Sequence, residues 1–204
     1  NGGTIYLTTA DRWGNMVSLI HSIFSVYGSG VTIPPYGMML HNRGVAFSLD
    51  EDHPNIVAPR KRPFHSIIAG FVMQDGEPLM TFGNMGGSVQ PETHAQHMVN
   101  VIDHGMNVQM TTDAARFTHS QNSNVLSLED NLYSLVGRSL EAKGHDVRSV
   151  NGGRVGGYQG ILFTKDPSLP EPVYSQQSID TDAPVNGVYR GGSDHRKDGA
   201  AVGW

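Results

Sequence analysis

The sequence of this protein predicts an α+β domain in which strands and helices lie in separate layers. Strand-like apolar runs come first, a block of helical periodicity extends from Pro91 to Gly144, and further strand candidates follow. Strands and helices that are segregated along a chain in this way build α+β layers. The 204 residues suffice for one ordinary domain, and nothing in the sequence divides them. We therefore expect residues 1–204 to form a single domain.

The first predicted element is a β-hairpin. Residues 5–9 and 16–20 are β-branched and apolar runs, and the segment between them contains Gly14, which suits the left-handed position of a three-residue loop. With residues 12–14 as that loop, Ala10 faces Met16 and Thr4 faces Ser22. The register therefore places two hydroxyl groups opposite each other at the open end of the hairpin.

The later elements are predicted from hydrophobic periodicity and from the positions of glycine and proline. We expect a second hairpin at 67–73 and 78–82 around the turn 74–77, a helix between Pro91 and Gly105, a shorter helix at 108–116, a helix from Asp130 to Gly144, and strands at 147–150, 157–164 and 173–174. Residues 28–65 and the tail from Asp180 are rich in turn-forming residues, which favours irregular chain there.

The composition argues against several classes of function. With 14 Lys+Arg against 19 Asp+Glu, the chain lacks the basic stripe that nucleic-acid binding needs. The absence of cysteine excludes a disulfide framework, a thiolate metal site and a cysteine nucleophile. No window approaches the roughly 18 apolar residues of a membrane span. Only 16% of the residues are charged, so we expect part of the surface to be covered by another chain.

The first residues suggest a nucleophile. The chain begins with Asn1 and not with methionine, which we interpret as a product cut from something longer. A threonine with a free α-amino group can use that amine as the base for its own hydroxyl. Cleavage of the Gly3–Thr4 bond would create such a group, and a glycine at this point lets the backbone distort at little cost. Thr4 is thus a candidate nucleophile with Ser22 to orient it, although a threonine that starts a strand is more often only a good β-former.

Short motifs that follow one another along nearly the whole chain add a second argument. They are Gly3-Thr4-Ile5-Tyr6-Leu7-Thr8, Tyr27-Gly28-Ser29-Gly30, His53-Pro54-Asn55, Lys61-Arg62-Pro63-Phe64-His65, Phe82-Gly83-Asn84-Met85-Gly86-Gly87, Asp113-Ala114-Ala115-Arg116-Phe117 and Gly192-Ser193-Asp194. In this order the series resembles the small subunit of the γ-glutamyltransferase family.

This resemblance implies a four-layer αββα fold of the N-terminal nucleophile hydrolase type, made as one precursor that cuts itself into a large and a small subunit. It implies that Thr4 leads the small subunit as nucleophile and that Ser22 hydrogen-bonds it. The backbone N–H groups of Gly86 and Gly87 would form the oxyanion hole. The resemblance calls for no cofactor and no metal ion.

Some positions depart from the glutathione-using members of that family. Ala46 stands where they have an aspartate for the substrate ammonium group, His65-Ser66 replaces a Ser-Ser pair, and Phe24 replaces an asparagine. An unpaired ammonium group in a closed site costs on the order of 1–3 kcal/mol. Arg43 and His65 instead offer donors for a carboxylate or a neutral acyl group. We therefore expect Arg43, His65 and Ser66 to bind substrate, with the alternative that Arg43 faces a partner subunit.

The resulting expectation is acyl transfer or hydrolysis of γ-glutamyl or related amides through a threonyl acyl-enzyme, after autoproteolysis before Thr4. The alternatives are a cephalosporin or glutaryl-type acylase of the same fold, and an unprocessed homologue that only binds or supports other molecules. The expected partners are an obligatory large subunit from the same precursor and a small amide substrate, with a dimer of heterodimers left open. The compartment is also left open, with the cytoplasm favoured.

Three further patterns have simpler interpretations. His94, His97 and His104 have a spacing that could present imidazoles to zinc, but no carboxylate accompanies them, and we expect ordinary histidines on a helix surface. The glycine-rich segment 152–157 lacks the ending of a phosphate loop and predicts a turn between strands. Asp113 and Arg116 are one helical turn apart, which predicts an ion pair.

Overall fold

The structure is a computed structural model that describes residues 2–166, 168 and 185–203. Its strands are β1 (Gly2–Ala10), β2 (Met16–Ser25), β3 (Thr32–Ile33), β4 (Met38–Met39), β5 (Gly70–Gln74), β6 (Glu77–Met85), β7 (Phe117–Ser120), β8 (Val125–Glu129), β9 (Asp146–Val150), β10 (Gly157–Lys165) and β11 (Gly187–Ser193). Its helices are α1 (Gln90–Ile102), α2 (Val108–Asp113), α3 (Asp130–Leu132) and α4 (Arg138–Ala142), and a π-helical turn at Tyr133–Gly137 joins the last two.

Two sheets packed against each other form the centre of the fold. The antiparallel hairpin β1–β2 lies on a four-stranded antiparallel sheet of order β11-β10-β6-β5, through contacts of β1 and β2 with β6 and of β1 with β10. Helices α1 and α2 cover the opposite face of the four-stranded sheet. A smaller sheet, β7-β8-β9, lies beside α1. The predicted α+β sandwich is confirmed.

The hydrophobic core lies between the four-stranded sheet and the two helices. Met80 and Phe82 of β6, Tyr158 of β10 and Val108 of α2 form its buried cluster. On the other face of the sheet the ring of Tyr6 covers the backbone of Gly83, where a Cβ atom would lie 2.3 Å from the ring. Because only a glycine leaves room for that ring, position 83 determines how closely the hairpin approaches the sheet.

The first hairpin has the predicted register. Thr4 pairs with Ser22, and Ala10 pairs with Met16. The side chain of Asp11 accepts hydrogen bonds from two N–H groups of the loop, and Gly14 has a φ of 89°. The local chemistry of a short loop therefore determines that Thr4 and Ser22, which are 18 residues apart in sequence, oppose each other.

The other predicted elements, apart from the strand at 173–174, are confirmed with changed bounds. The second hairpin turns more tightly, at Asp75 and Gly76, which both have positive φ, and β6 continues to Met85. Helix α2 ends at Asp113 and not at residue 116, because Ala114 has an extended ψ of 138°.

Five strands contradict or extend the sequence prediction, and two of them, β3 and β4, are two-residue strands in the segment predicted to be irregular. Strands β7 and β8 were not predicted, and the tail that reads as turns contains β11, which pairs with β10 along its whole length. Glycines at both ends of β11 lower its β-propensity, so its strand conformation depends on its neighbour. The strand predicted at 173–174 lies outside the described residues.

The outer face of the β1–β2 hairpin is apolar. Ile5, Leu7, Val17 and Leu19 are 56%, 42%, 47% and 43% exposed, and they alternate with the inward residues of both strands. We call these four residues the outer hairpin face. Among the described residues, no helix has the length and apolar character needed to cross a membrane.

Candidate active site

The predicted pair of hydroxyls is present, and an arginine joins it. Thr4 Oγ1 and Ser22 Oγ are 2.9 Å apart, and the Arg43 Nη2 group donates to Ser22 Oγ over 2.8 Å. The backbone N–H of Phe24 also donates to Ser22 Oγ, over 3.0 Å. A hydroxyl has one proton and two acceptor lone pairs. Both lone pairs of Ser22 are thus engaged, so Ser22 donates its own proton to Thr4.

An irregularity in the hairpin presents Thr4 at this point. The pairing shifts by one residue between Gly2 and Thr4, and a Cβ atom at Gly3 would lie 2.6 Å from the Ile23 side chain and 2.8 Å from the Ser25 carbonyl oxygen. Only glycine fits there. The bond that precedes Thr4 is therefore held tightly against β2.

Arg43 reaches the hydroxyl pair from a 3₁₀ turn, Arg43–Ala46, that follows β4. The Asn42 side chain bonds both the backbone N–H and the hydroxyl of Ser25, which fastens this turn to β2. The Phe24 ring lies 5.0 Å from the guanidinium carbon, and Phe24 has an unusual φ of 72°. Arg43 is buried, with 4% of its surface exposed.

The other two predicted substrate residues are less closely tied to Thr4. Partial desolvation, and then the charges of Arg43 and Arg62, lower the pKa of His65, whose side chain is exposed. In the described part of the chain, no hydrogen bond joins Ser66 to Thr4, Ser22 or Arg43. The structure therefore brings together Thr4, Ser22 and Arg43, with His65 nearby.

The glycines proposed for the oxyanion follow β6 immediately. Gly86 and Gly87 have φ values of 148° and 67°, and the 3₁₀ turn Gly87–Val89 leads directly into α1. The free N–H groups and the positive end of a helix dipole thus lie next to these two residues. We call Met85–Gly87 the glycine loop.

A buried polar network supports the glycine loop, and sequence analysis did not find it. The Asn84 side chain donates to the Met85 carbonyl oxygen over 2.8 Å and accepts from Arg116 Nη1 over 2.9 Å. Arg116 in turn pairs with Asp194 over 2.6 Å, with both side chains at or below 1% exposure. The links from Asp194 through Arg116 to Asn84 are therefore buried, and the last link to the Met85 carbonyl is partly buried.

A second arginine completes the same network. Arg196 binds both oxygens of Glu129, at 2.6 and 2.7 Å, and Asp194 Oδ1 at 3.1 Å.

The prediction that Arg116 pairs with Asp113 is wrong. Asp113 contacts His195 instead, because α2 ends at Asp113 and Arg116 turns inward.

Comparison with known proteins identifies the family. A sequence model described as gamma-glutamyltranspeptidase matches residues 1–204. This chain belongs to the gamma-glutamyltranspeptidase family. It is 34% identical over 204 residues to the glutathione hydrolase-like YwrD proenzyme of Bacillus subtilis, covering 98% of this chain and 35% of that protein. It is 32% identical over 208 residues to the oxamate amidohydrolase proenzyme of Klebsiella pneumoniae, covering 100% and 36%. The chain thus spans about a third of the length of these curated relatives.

Solved structures of this family share the fold. A cephalosporin acylase from Bacillus halodurans superposes with a TM-score of 0.82 and 38% identity, covering 98% of this chain and 34% of that one. The Helicobacter pylori gamma-glutamyltranspeptidase T380A mutant superposes with a TM-score of 0.78 and 26% identity, covering 94% and 99%.

In this gamma-glutamyltranspeptidase family member, the segment 152–157 forms a turn that packs against the glycine loop. A Cβ atom on Gly156 would lie 2.1 Å from the Met85 carbonyl oxygen and 2.3 Å from Asn84 Nδ2, and Gly156 has a φ of 86°.

Gly156→Ala should therefore displace the loop, lowering kcat at least tenfold and the free energy of unfolding by about 1–3 kcal/mol. Gly153→Ala is the matched control, since its Cβ would meet only the Asn151 side chain at 3.3 Å. Equal kcat in the two variants would contradict this role.

The prediction that the histidines of α1 lie on the helix surface is wrong. His97 is fully buried, and His94 is 8% exposed and accepts the backbone N–H of Asn84 over 3.1 Å. The apolar periodicity that predicted this helix does not mark its buried side, because Val99 and Ile102 are 43% and 65% exposed. Helix α1 instead packs His94 against Phe82 of β6 and His97 against Tyr158. Among the described residues, no group of three or more His, Asp or Glu side chains is arranged to hold a metal ion.

Burial of these two histidines predicts the pH dependence of stability. Burial lowers the pKa of His94 to about 4 and that of His97 to about 3. The unfolded chain takes up protons on both below about pH 6.5 while the folded chain does not, so stability falls as the pH falls. We expect the free energy of unfolding to be about 3 kcal/mol lower at pH 5.5 than at pH 7.5. Denaturant unfolding at both values measures this.

His97→Gln should remove about half of that difference, whereas the exposed control His104→Gln should leave it unchanged. A pH dependence of undiminished size in His97→Gln would contradict the assignment of half of the effect to His97.

Proposed function

We propose that this chain is the nucleophile-bearing subunit of an amide hydrolase or acyltransferase, with Thr4 as nucleophile after cleavage of the Gly3–Thr4 bond. The observation that carries this proposal is the hydrogen bond of 2.9 Å from Ser22 to Thr4, with both acceptor positions of Ser22 occupied by Arg43 and Phe24. A serine arranged in this way stabilises an oxygen that develops negative charge. It leaves the Thr4 proton free to move to a base.

The proposed maturation uses the same oxygen. Thr4 Oγ1 attacks the Gly3 carbonyl carbon, the Gly3–Thr4 C–N bond breaks, and the nitrogen receives the hydroxyl proton. Water then hydrolyses the resulting ester, which restores the Thr4 hydroxyl and leaves a free α-amino group. The tight fit of Gly3 against Ile23 and Ser25 would limit the movement of the scissile bond during this attack.

The proposed turnover follows from the free amine. It accepts the Thr4 hydroxyl proton as the oxygen attacks the substrate amide carbon, and it returns that proton to the leaving amine. The N–H groups of the glycine loop, at the start of α1, would receive the oxyanion, and such a donor contributes roughly 3–4 kcal/mol in other acyl-transfer enzymes. Water or an acceptor amine then attacks the ester carbonyl and releases Thr4.

The proposed partner is a large subunit from the same precursor. The matched relatives are named as proenzymes, and this chain spans about a third of their length. The outer hairpin face would be covered by that subunit, since four exposed apolar side chains in one stripe are typical of a buried interface. The two subunits would then form an obligatory heterodimer.

The proposed substrates are γ-glutamyl or related amides. Relatives include proteins named as glutathione hydrolase, oxamate amidohydrolase and acylase. Cleavage of an amide bond is a reaction common to these names. A specific observation favours acylase-like hydrolysis as the second candidate. Ala46 closes the 3₁₀ turn beside Arg43 and has no charge to pair with a substrate ammonium group.

The decisive experiment is the intact mass and N-terminal sequence of the full-length gene product after native production. A shorter chain that begins with Thr4 supports the proposal, whereas a bond to Gly3 that persists through prolonged incubation identifies an unprocessed homologue. Turnover of γ-glutamyl and glutaryl anilides then separates the two substrate candidates. A strong preference for the γ-glutamyl anilide that disappears when the α-amino group is removed would exclude the acylase-like candidate.

A further inference from the structure

Arg43 differs from the other buried arginines in having no carboxylate partner. Arg116 and Arg196 each pair with one or two carboxylates. Within residues 2–166, 168 and 185–203, the Arg43 side chain donates only to the neutral hydroxyl of Ser22, and its cation rests on the Phe24 ring. A buried charge without a counter-ion costs several kcal/mol. Arg43 therefore lacks its counter-ion in this structure.

The surroundings of Arg43 would attract an anion. Three charged groups lower the pKa of His65 through their electrostatic field, and all three are basic: Arg43, Arg62 and His41. Four of the five guanidinium N–H groups of Arg43 have no acceptor among the described residues, and a guanidinium fork matches a carboxylate in geometry. A carboxylate is the ligand that satisfies both the charge and the free donors.

The distance from Arg43 to the nucleophile limits where that carboxylate is attached. Arg43 Nη2 and Thr4 Oγ1 both contact Ser22 Oγ, at 2.8 and 2.9 Å, so they are at most about 6 Å apart. Near-attack geometry places the reacting carbon about 3–3.5 Å from Thr4 Oγ1. A carboxylate bonded directly to that carbon, or separated from it by one or two methylene groups, spans the remaining gap. An acyl group with a longer spacer would have to adopt a folded conformation to reach both Thr4 and Arg43.

We propose that Arg43 is the receptor for a carboxylate on the acyl part of the substrate, so that the site takes monoamides of short dicarboxylic acids. This inference rests on the proposed function for its reaction, but its binding step does not require turnover. After hydrolysis the product in the site is the dicarboxylate itself, which can be used as a probe.

The experiment titrates the natively produced full-length protein with oxalate, malonate, succinate and glutarate at pH 7.5 by calorimetry, with malonamide and succinamide as neutral counterparts. At least one of the three shorter dicarboxylates should bind, glutarate should bind more weakly, and the diamides should show no measurable affinity. Arg43→Gln should weaken the best dicarboxylate 10- to 100-fold, the loss expected for a charge-assisted hydrogen bond. Arg148→Gln, at an arginine of β9 whose side chain is 66% exposed, is the matched control and should change the affinity less than twofold.

Ala46→Asp tests the same inference without removing Arg43. Residues 43 and 46 are three apart in a 3₁₀ turn, so their side chains lie on one side. The new carboxylate should pair with Arg43 and weaken dicarboxylate binding to a similar extent, with the thermal unfolding midpoint unchanged or raised.

The two proposals fail in different measurements. Absence of the Thr4 N-terminus or of amide turnover would refute the proposed function. Failure of every dicarboxylate to bind, or unchanged affinity in Arg43→Gln and Ala46→Asp, would refute the role of Arg43 and assign its counter-ion to a partner subunit.

Discussion

Thr4→Ala is expected to abolish both cleavage of the Gly3–Thr4 bond and amide turnover, with a loss of kcat of at least about 10⁴-fold. The reason is that one oxygen serves both reactions in the proposed mechanism, and the described residues place no other hydroxyl against Ser22. Intact mass of the purified protein reports on the cleavage, and an anilide assay reports on turnover. Thr4→Ser is the control, because it keeps the hydroxyl and should still be cut, more slowly.

Ser22→Ala separates orientation from nucleophilic attack. It removes the donor to Thr4 while the nucleophile stays, so cleavage should be slowed and not abolished. Normal maturation in the Thr4→Ala variant would disprove the assignment of the nucleophile, whatever Ser22→Ala shows.

Arg116→Ala is expected to have the largest effect on stability, a loss of about 3–5 kcal/mol in the free energy of unfolding. The change leaves the buried Asp194 carboxylate without its main partner and Asn84 Oδ1 without its donor. Denaturant unfolding measures the loss. Arg148→Ala is the matched control: its ion pair with Asp146 spans 3.5 Å at 66% and 56% exposure, and such pairs contribute about 0–1 kcal/mol.

Arg116→Lys distinguishes the structural role of Arg116 from its effect on the glycine loop. Lysine keeps the charge beside Asp194 but lacks the second arm that reaches Asn84. Stability should recover in large part, while kcat should stay lowered with little change in KM, because the loop position affects the transition state more than ground-state binding. A variant that recovers kcat together with stability would contradict any connection between Arg116 and the loop.

The hairpin and its two hydroxyls were predictable from sequence, because their determinants are local. The loop around Gly14 sets the register, and the register alone brings Thr4 to Ser22. The partner of Arg116 was not predictable in this way. Helical spacing pointed to Asp113, whereas the actual partner, Asp194, is 78 residues away along the chain. Tertiary packing decides which buried charges meet, and no local pattern in a single sequence predicts such a pair.

The placement of Arg43 shows a different limit of sequence analysis. Its residue type indicated an anion, but the sequence contains no signal for its burial or its contact with Ser22. Both depend on Asn42, which holds the 3₁₀ turn against the end of β2. The same limit applies to β11, whose glycine-rich sequence becomes a strand only because β10 lies beside it.

The outer hairpin face has a consequence for any measurement of stability. A surface that binds a partner only in the folded state couples folding to the partner's concentration. If a second subunit covers Ile5, Leu7, Val17 and Leu19, the thermal midpoint of the assembled protein will rise with total protein concentration, and this chain alone will self-associate at the same stripe. Melting curves recorded at a single concentration would then describe an assembly equilibrium as much as a fold.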